Sequence, residues 1–382
     1  VKRVTWPLTA LSLLAANPPQ FAEHTVATGL RGGYQVVIAD LNHDGKPDLI
    51  ALASGMPELV WYENPGWERH VIAGGFTQMI NLAVVDGGHG DGIPDIVLAS
   101  SFANVAARSV GLVSVLTHNG DPRNPWTATE IDRLTTSHRL RAAAVDGSHK
   151  PVIINAPLTG ANAEAPDYRD RTPLVFYRPG EWRRHEIAPA NFGLVHGLYV
   201  IDWDGDGRDE ILTCGFEGMH LFKLGKGGEW TRSEIAKGAP DDWPKSGCSD
   251  VAAGKLARER YLATIEPWHG NQVAIYRRDG AEWARHKIDD TLADGHTILT
   301  ADLNGDGNDA VIAGCRGGPR SVNLYFAEDA SGTRWNKQTL DAAMPAASCA
   351  TGDLNGDGRL DIACIGSASG TLKWYENLRP KR

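Results

Sequence analysis

The sequence predicts an all-β fold, a seven-bladed β-propeller with four-stranded blades and an N-terminal strand that closes the last blade. Three observations predict it. An Asp/Asn/Gly-rich turn recurs at intervals of roughly 50 residues. An aromatic strand follows each turn at a similar distance. A further strand of the pattern Trp-x-x-His-x-Ile then completes the unit.

The turns come first along each unit. Asp40, Asn42, Asp44 and Asp48 place side-chain oxygens at the first, third, fifth and ninth positions of one turn. Asp202, Asp204, Asp206 and Glu210 repeat that spacing, as do Asp353, Asn355, Asp357 and Asp361. Asp302, Asn304 and Asp306 repeat its first part, but Ala310 stands at the ninth position. Asp86 to Asp95 is a variant with one extra residue, and the turns near Asp146 and Gly254 have lost the pattern. Calcium is a hard cation that takes six to eight oxygens, so these four sets are expected to hold structural calcium. β-type runs such as Tyr34–Ala39 and Leu49–Ala53 flank the turns, which places them on hairpins.

The aromatic strands carry Trp61 and Tyr62, Phe176 and Tyr177, Tyr276, Tyr325, and Trp374 and Tyr375. The outer strands carry Trp67 and His70, Trp182 and His185, and Trp283 and His286, with weaker copies at Trp126, Trp230 and Trp335. Six complete units run from Tyr34 to about Leu340. The seventh, Ala347 to Asn377, stops after three strands. Phe21, His24 and Val26 fit the missing outer strand, so the two ends join in one blade and remove the open edge.

The chain has 382 residues, 42% hydrophobic and 22% charged, with a net charge of −9. The balance is globular, and no basic stripe suggests nucleic acid. Lys2 and Arg3 followed by the apolar stretch Val4 to Ala16 read as a secretory signal peptide over residues 1–16, with the propeller over 17–382. The stretch is too short for a membrane span. Secretion or export to a periplasm follows, and a monomer is expected. Cys214, Cys248, Cys315, Cys349 and Cys364 make an odd count without metal-type spacing, so neither a disulfide framework nor a cysteine zinc site is expected.

A propeller sorts its loops between two faces. The Asp turns occupy one, and the loops entering each first strand occupy the other, where side chains converge on the central channel. Tyr34, His196 and His296 each stand six residues before a first-turn Asp, so the repeat sets them around one ring. His138 and Arg139 enter the third blade and Asp250 the fifth. Glu266, Trp268, His269, Arg316 and Arg320 fall in loops of the same face. Two long insertions, Ser101 to Arg108 and Asn155 to Pro173, the second with Tyr168, Arg169, Asp170 and Arg171, would wall the funnel on one side. By contrast His24, His70, His185 and His286 belong to the outer-strand repeat and are expected to be structural. His43, His89 and His149 lie in the turns.

The turns around Asp40, Asp202 and Asp353 resemble those of the FG-GAP/VCBS repeat family, which implies the propeller and its calcium turns. The segment from Gly32 to Asp48, with Trp61, Tyr62, Asn64, Pro65 and Trp67, is also similar to secreted propeller lyases cleaving L-rhamnosyl-α-1,4-D-glucuronate ends. It is similar as well to the propeller domain of aldos-2-ulose dehydratase. Both resemblances imply carbon–oxygen lyase chemistry at the propeller centre.

Imidazole supplies acid and base near neutral pH, arginine pairs with carboxylates, and indole stacks on sugar rings. His138, His196, His269, His296, Arg139 and Tyr34 are therefore the candidate catalytic set. Arg316, Trp268, Glu266, Asp250, Tyr168 and Arg171 are the candidate substrate-binding set. The expected reaction is β-elimination at a uronic acid of an acidic oligo- or polysaccharide, with room for a further divalent metal in the channel. The alternatives are a sugar- or protein-binding propeller without catalysis, an aldos-2-ulose dehydratase-like sugar dehydratase, and a glycoside hydrolase using Glu266 and Asp250 as its carboxylate pair.

Overall fold

A computed structural model describes residues 19–148 and 150–379. The segment expected to be a signal peptide, and His149, lie outside the described residues. Twenty-eight strands, numbered β1 to β28 in chain order, form seven four-stranded antiparallel sheets. The first strands are β2 (Gly33–Ala39), β6 (Asn81–Val85), β10 (Ser137–Ala143), β14 (Val195–Ile201), β18 (Asp250–Leu256), β22 (Gly295–Ala301) and β26 (Ala346–Gly352). Each touches the next, and β26 returns to β2, so they line the axis of a closed ring. The expected closure is present: β1 (Phe21–Ala27) pairs with β28 (Leu372–Asn377), with Phe21 opposite Asn377 and His24 opposite Trp374.

Burial explains why the strands read so differently. Second strands such as β3 (Asp48–Ala53), β15 (Glu210–Gly215) and β23 (Ala310–Cys315) are buried at every residue, because a neighbouring blade covers each face. The cores lie between blades. Leu52, Trp61 and Leu98 join the first and second blades, for example, and Ile312, Leu324 and Tyr375 the sixth and seventh. Each fully buried CH₂ in these seams contributes about 0.8 kcal/mol. Fourth strands lie open to solvent, as in β9 (Thr127–Arg133), where no residue is buried.

Polar side chains fasten one blade to the next. The Asn64 amide donates to Leu354 O and Asn377 to Leu303 O, at 2.7 and 2.8 Å. Tyr177, Tyr325 and Tyr375 donate to Asp132, Asp289 and Asp341 on the preceding blade's outer strand. Three of the repeat histidines pack on the aromatic strands. His24 stacks on Trp374, His185 on Phe176, and His70 lies against Trp61 while bonded to Glu63.

The cysteine expectation is corrected. Cys214 is bonded to Cys248 and Cys349 to Cys364, leaving Cys315 free and buried. Cys349 and Cys364 sit directly opposite each other on adjacent strands, a relation set by register and invisible to sequence spacing. Among the described residues no helix is long and apolar enough to cross a membrane.

Candidate functional site

The site starts from five irregularities in the first strands. Pairing slips between Gly33 and Gln35, Ser137 and Arg139, Val195 and Gly197, Gly295 and Thr297, and Ala346 and Ser348. The residues left out of register are Tyr34, His138, His196, His296 and Ala347. A β-bulge leaves one residue unpaired and re-aims its side chain. Four of the five bulges thus turn a phenol or an imidazole towards the axis.

His269 arrives differently, from the loop after β19 (Glu259–Glu266), in a left-handed conformation with φ of 50°. Asp294 has the same sign of φ, 53°. Non-glycine residues rarely hold this conformation, and it concentrates at functional sites. The pair meets at 3.1 Å between His269 Nδ1 and Asp294 Oδ1.

These groups form a septum across the channel. Tyr34 Oη lies 3.0 Å from His138 Nε2 and 3.2 Å from His296 Nε2. His196 Nε2 lies 3.2 Å from His269 Nε2 and 3.3 Å from Arg139 Nη2. Main-chain carbonyls of the next blade fix two of the rings: His196 Nδ1 donates to Ser249 O at 2.9 Å, and His296 Nδ1 to Ala347 O at 2.6 Å. Their Nε2 lone pairs therefore face the centre. Asp294 offers His269 Nδ1 an acceptor, whereas Arg316 Nη2, 3.1 Å away, offers it a donor. With its proton on Nδ1, His269 adds a third Nε2 lone pair to the same point; with its proton on Nε2, it donates to His196.

Ligand atoms of His196, His269 and His296 all lie within 4.8 Å of one another. Three imidazoles, two fixed by carbonyls and one by a carboxylate, suit a divalent cation of the zinc type. Burial, reinforced by the charge of Arg139 and, for His138 and His296, of Arg316, holds His138, His196 and His296 well below the usual imidazole range. Burial also lowers His269, against the pull of Asp294. For Asp294 burial acts upward, but His269 and Arg316 outweigh it and hold the carboxyl at about 2.

Above the septum opens a funnel of about 860 Å³, lined by Tyr34, His138, His196, His269, Trp268 and Arg316. Its wall comes from the first long insertion, with Ser101, Phe102, Asn104 and Arg108. The second insertion contributes behind the wall. Tyr168 packs edge-on to Trp268 with ring centres 5.9 Å apart, in a small core with Leu158 and Phe216. Below the septum a second chamber of about 300 Å³ is lined by Arg139, Arg141, Asp250 and Ser348, with Tyr34 and His296 in its roof.

Several candidates fall elsewhere. Arg139 and Asp250 line the lower chamber and not the funnel. Glu266 is fully buried within its blade, accepting from Tyr276 Oη at 2.5 Å, Thr264 Oγ1 at 2.7 Å and Arg285 Nε at 2.7 Å. Arg171 is exposed and paired with Glu186. The carboxylate pair that a hydrolase would need is therefore not assembled across the funnel. Asp294, Ser249 and Ala347 are the contributors that sequence reasoning missed.

The Asp turns lie at the other ends of the first strands. Asp40, Asp302 and Asp353 each accept main-chain N–H groups of their own turn. Asp48 and Asp361 turn inward, each accepting two main-chain N–H groups, and burial raises both to about 6. Asp202, Asp204 and Glu210 converge within 4.8 Å, and the Lys223 ammonium lies among them, 3.0 Å from Glu210.

Fold and site together define a propeller with a central, histidine-lined funnel. Residues 110–279 match the family profile described as the aldos-2-ulose dehydratase β-propeller domain, and residues 302–364 match an FG-GAP-like repeat. The chain is 25% identical over 315 residues to aldos-2-ulose dehydratase of Phanerodontia chrysosporium. That alignment covers 72% of this chain and 34% of the relative, so the chain spans about a third of that protein. Among solved structures, virginiamycin B lyase from Staphylococcus aureus superposes with a TM-score of 0.60 at 11% identity, over 94% of this chain and 99% of that one. BBS1N, in complex with ARL6DN, does so with 0.57 at 13% identity, over 95% and 98%. At these identities both show the fold alone.

Proposed function

We propose that the chain is a carbohydrate-active carbon–oxygen lyase, eliminating an oxygen substituent β to a carbonyl or carboxylate in the funnel. One observation carries this reading: three imidazoles and a phenol line the funnel floor, with His296 bonded to the phenol from beneath and arginine and indole beside them. The proposed substrate is a uronic acid at the end of an acidic glycan, such as L-rhamnosyl-α-1,4-D-glucuronate. Arg108 gives the funnel the positive charge that a carboxylate needs, Arg316 lines it while paired with Asp294 at 2.9 Å, and Trp268 offers a ring face to a sugar.

His138 is neutral and faces the funnel, so it is suited to accept the proton next to the carboxylate. The freed electron pair forms the new double bond as the bond to the C4 oxygen breaks. The Tyr34 hydroxyl, 3.0 Å from His138, is placed to carry a proton to the departing oxygen. His196, His269 and His296 would hold a divalent cation, which when bound polarises a substrate carbonyl or carboxylate oxygen as a Lewis acid.

Incubation with rhamnosyl-glucuronate-capped arabinogalactan should raise the ultraviolet absorbance of an unsaturated uronate. No rise across uronate-containing glycans would sink this substrate assignment. A second reading, dehydration of an oxidised sugar, is favoured by the match over residues 110–279. Its assay is loss of water from aldos-2-uloses, followed by mass spectrometry.

Three further readings belong to the same proposal. The Asp turns take calcium, supported by the convergence of Asp202, Asp204 and Glu210. The protein works outside the cytoplasm, in a secreted or periplasmic setting, supported by two disulfides. It acts as a monomer, supported by how few large apolar side chains, Val105, Val110, Phe192 and Leu378, are exposed among the described residues.

A further inference from the structure

The lower chamber presents a charge imbalance that the funnel chemistry does not use. Arg139 is 6% exposed, and its one hydrogen bond to a described residue runs from Nη2 to His196. Arg141 donates from Nη1 to Leu140 O and Asn81 Oδ1, at 2.8 and 3.3 Å. The remaining N–H groups of both guanidiniums have no partner among the described residues, and both side chains line the chamber. Neither forms an ion pair with any described carboxylate.

Asp250 faces the same space, and its attraction to both arginines is felt without direct contact. Burial nonetheless raises its carboxyl, and burial together with Arg139 lowers Arg141 to about 10. Two guanidiniums thus oppose one carboxylate, with Tyr34, Tyr199 and His296 as the other titratable groups around them. Burying a cation without a counter-charge costs several kcal/mol, so natural interiors pair such groups.

We infer that the lower chamber is a binding site for a small oxyanion, an inorganic sulfate or phosphate or a short carboxylate, held between Arg139 and Arg141. A cavity of about 300 Å³ admits such an ion with a few waters and excludes a sugar chain. Asn81 and Ser348 line the same wall and supply neutral polar groups. The site is separated from the funnel by the septum, so it stands whether or not the lyase reading does.

Calorimetric titration of the full chain, in a chloride buffer free of oxyanions, tests it with sodium sulfate and with sodium acetate as probes. Saturable one-site binding is expected, weakened about tenfold or more in Arg141→Gln, since a charge-assisted bond is removed. Asp250→Asn, which removes the competing carboxylate, should tighten binding. Sulfate alone binding identifies an inorganic oxyanion; acetate alone identifies a carboxylate. The assignment is overturned if neither probe saturates in wild type or in Asp250→Asn, or if a folded Arg141→Gln binds as wild type does. No substrate enters the experiment, so an inactive funnel leaves its outcome unaffected.

Discussion

The two ends of each first strand follow opposite rules. At the turn end, Asp40, Asp202, Asp302 and Asp353 repeat one residue in one role, and all four bond their own backbone in the same way. At the funnel end, Tyr34, His138, His196, His296 and Ala347 occupy equivalent bulges with three different kinds of side chain. Repetition stabilises a ring that must close on itself. Divergence assembles one asymmetric centre from seven similar strands.

Substitutions can break this contrast. The largest expected effect is at the septum. His196→Ala should abolish elimination and lower the divalent metal bound per chain, with the fold retained by circular dichroism. Full activity in that variant would remove His196, and a cation held through it, from the chemistry. Asp294→Asn should weaken metal affinity by about 10–100-fold, because the outer partner of a ligating imidazole fixes its tautomer. Competition with a chromogenic chelator measures it without reference to turnover.

Acid should separate the two ends by sign. Unfolded imidazoles titrate near about 6.5. His138, His196 and His296 sit well below that when folded, so their contribution is present above about 6.5 and is lost as pH falls towards their folded values. Asp48 and Asp361 run the other way. Their folded values of about 6 exceed the ordinary 3.8, so their contribution is full below 3.8 and is lost as pH rises through 6. Melting temperature against pH should therefore fall more steeply on acidification in an Asp48→Asn, Asp361→Asn variant than in wild type. An unchanged slope would show that the inward aspartates are not opposing the histidines.

At the turn end, chelation of calcium should lower the melting temperature, since a ligand at a hundred times its Kd stabilises by about 2.7 kcal/mol. Lys223→Met should deepen that dependence by removing the ammonium from among Asp204, Asp206 and Glu210. An unchanged melt with no calcium by elemental analysis would dismiss the proposal. The smallest effect belongs to Arg171→Ala. Its pair with Glu186 is exposed, and such pairs contribute about 0–1 kcal/mol, so activity should stay at the wild-type level.

The ring was legible because its signals are side chains at fixed spacing. Trp67 with His70, and Asp40 with Asp44, are each visible in the sequence without knowing what they touch. Tyr34, His196 and His296 were placed by their common distance from a turn, and the bulges bring them together. What was missed acts through the main chain or across register. Ser249 and Ala347 contribute carbonyl oxygens that carry no residue-type signal. Cys349 and Cys364 meet only because their strands align. Arg139 and Asp250 come from the expected face but line the chamber beneath it. Glu266 ends a strand whose side chain turns back into its own blade.

A bulged residue takes no part in the pairing of its strand. Exchanging Tyr34 or His138 for another side chain leaves the hydrogen-bonded neighbours on either side in place. The first strands therefore work as a set of sockets around an axis, each refillable without re-registering the sheet that holds it. New chemistry on this scaffold needs one substitution at a time, and the ring can bear the intermediates between one set of tools and the next.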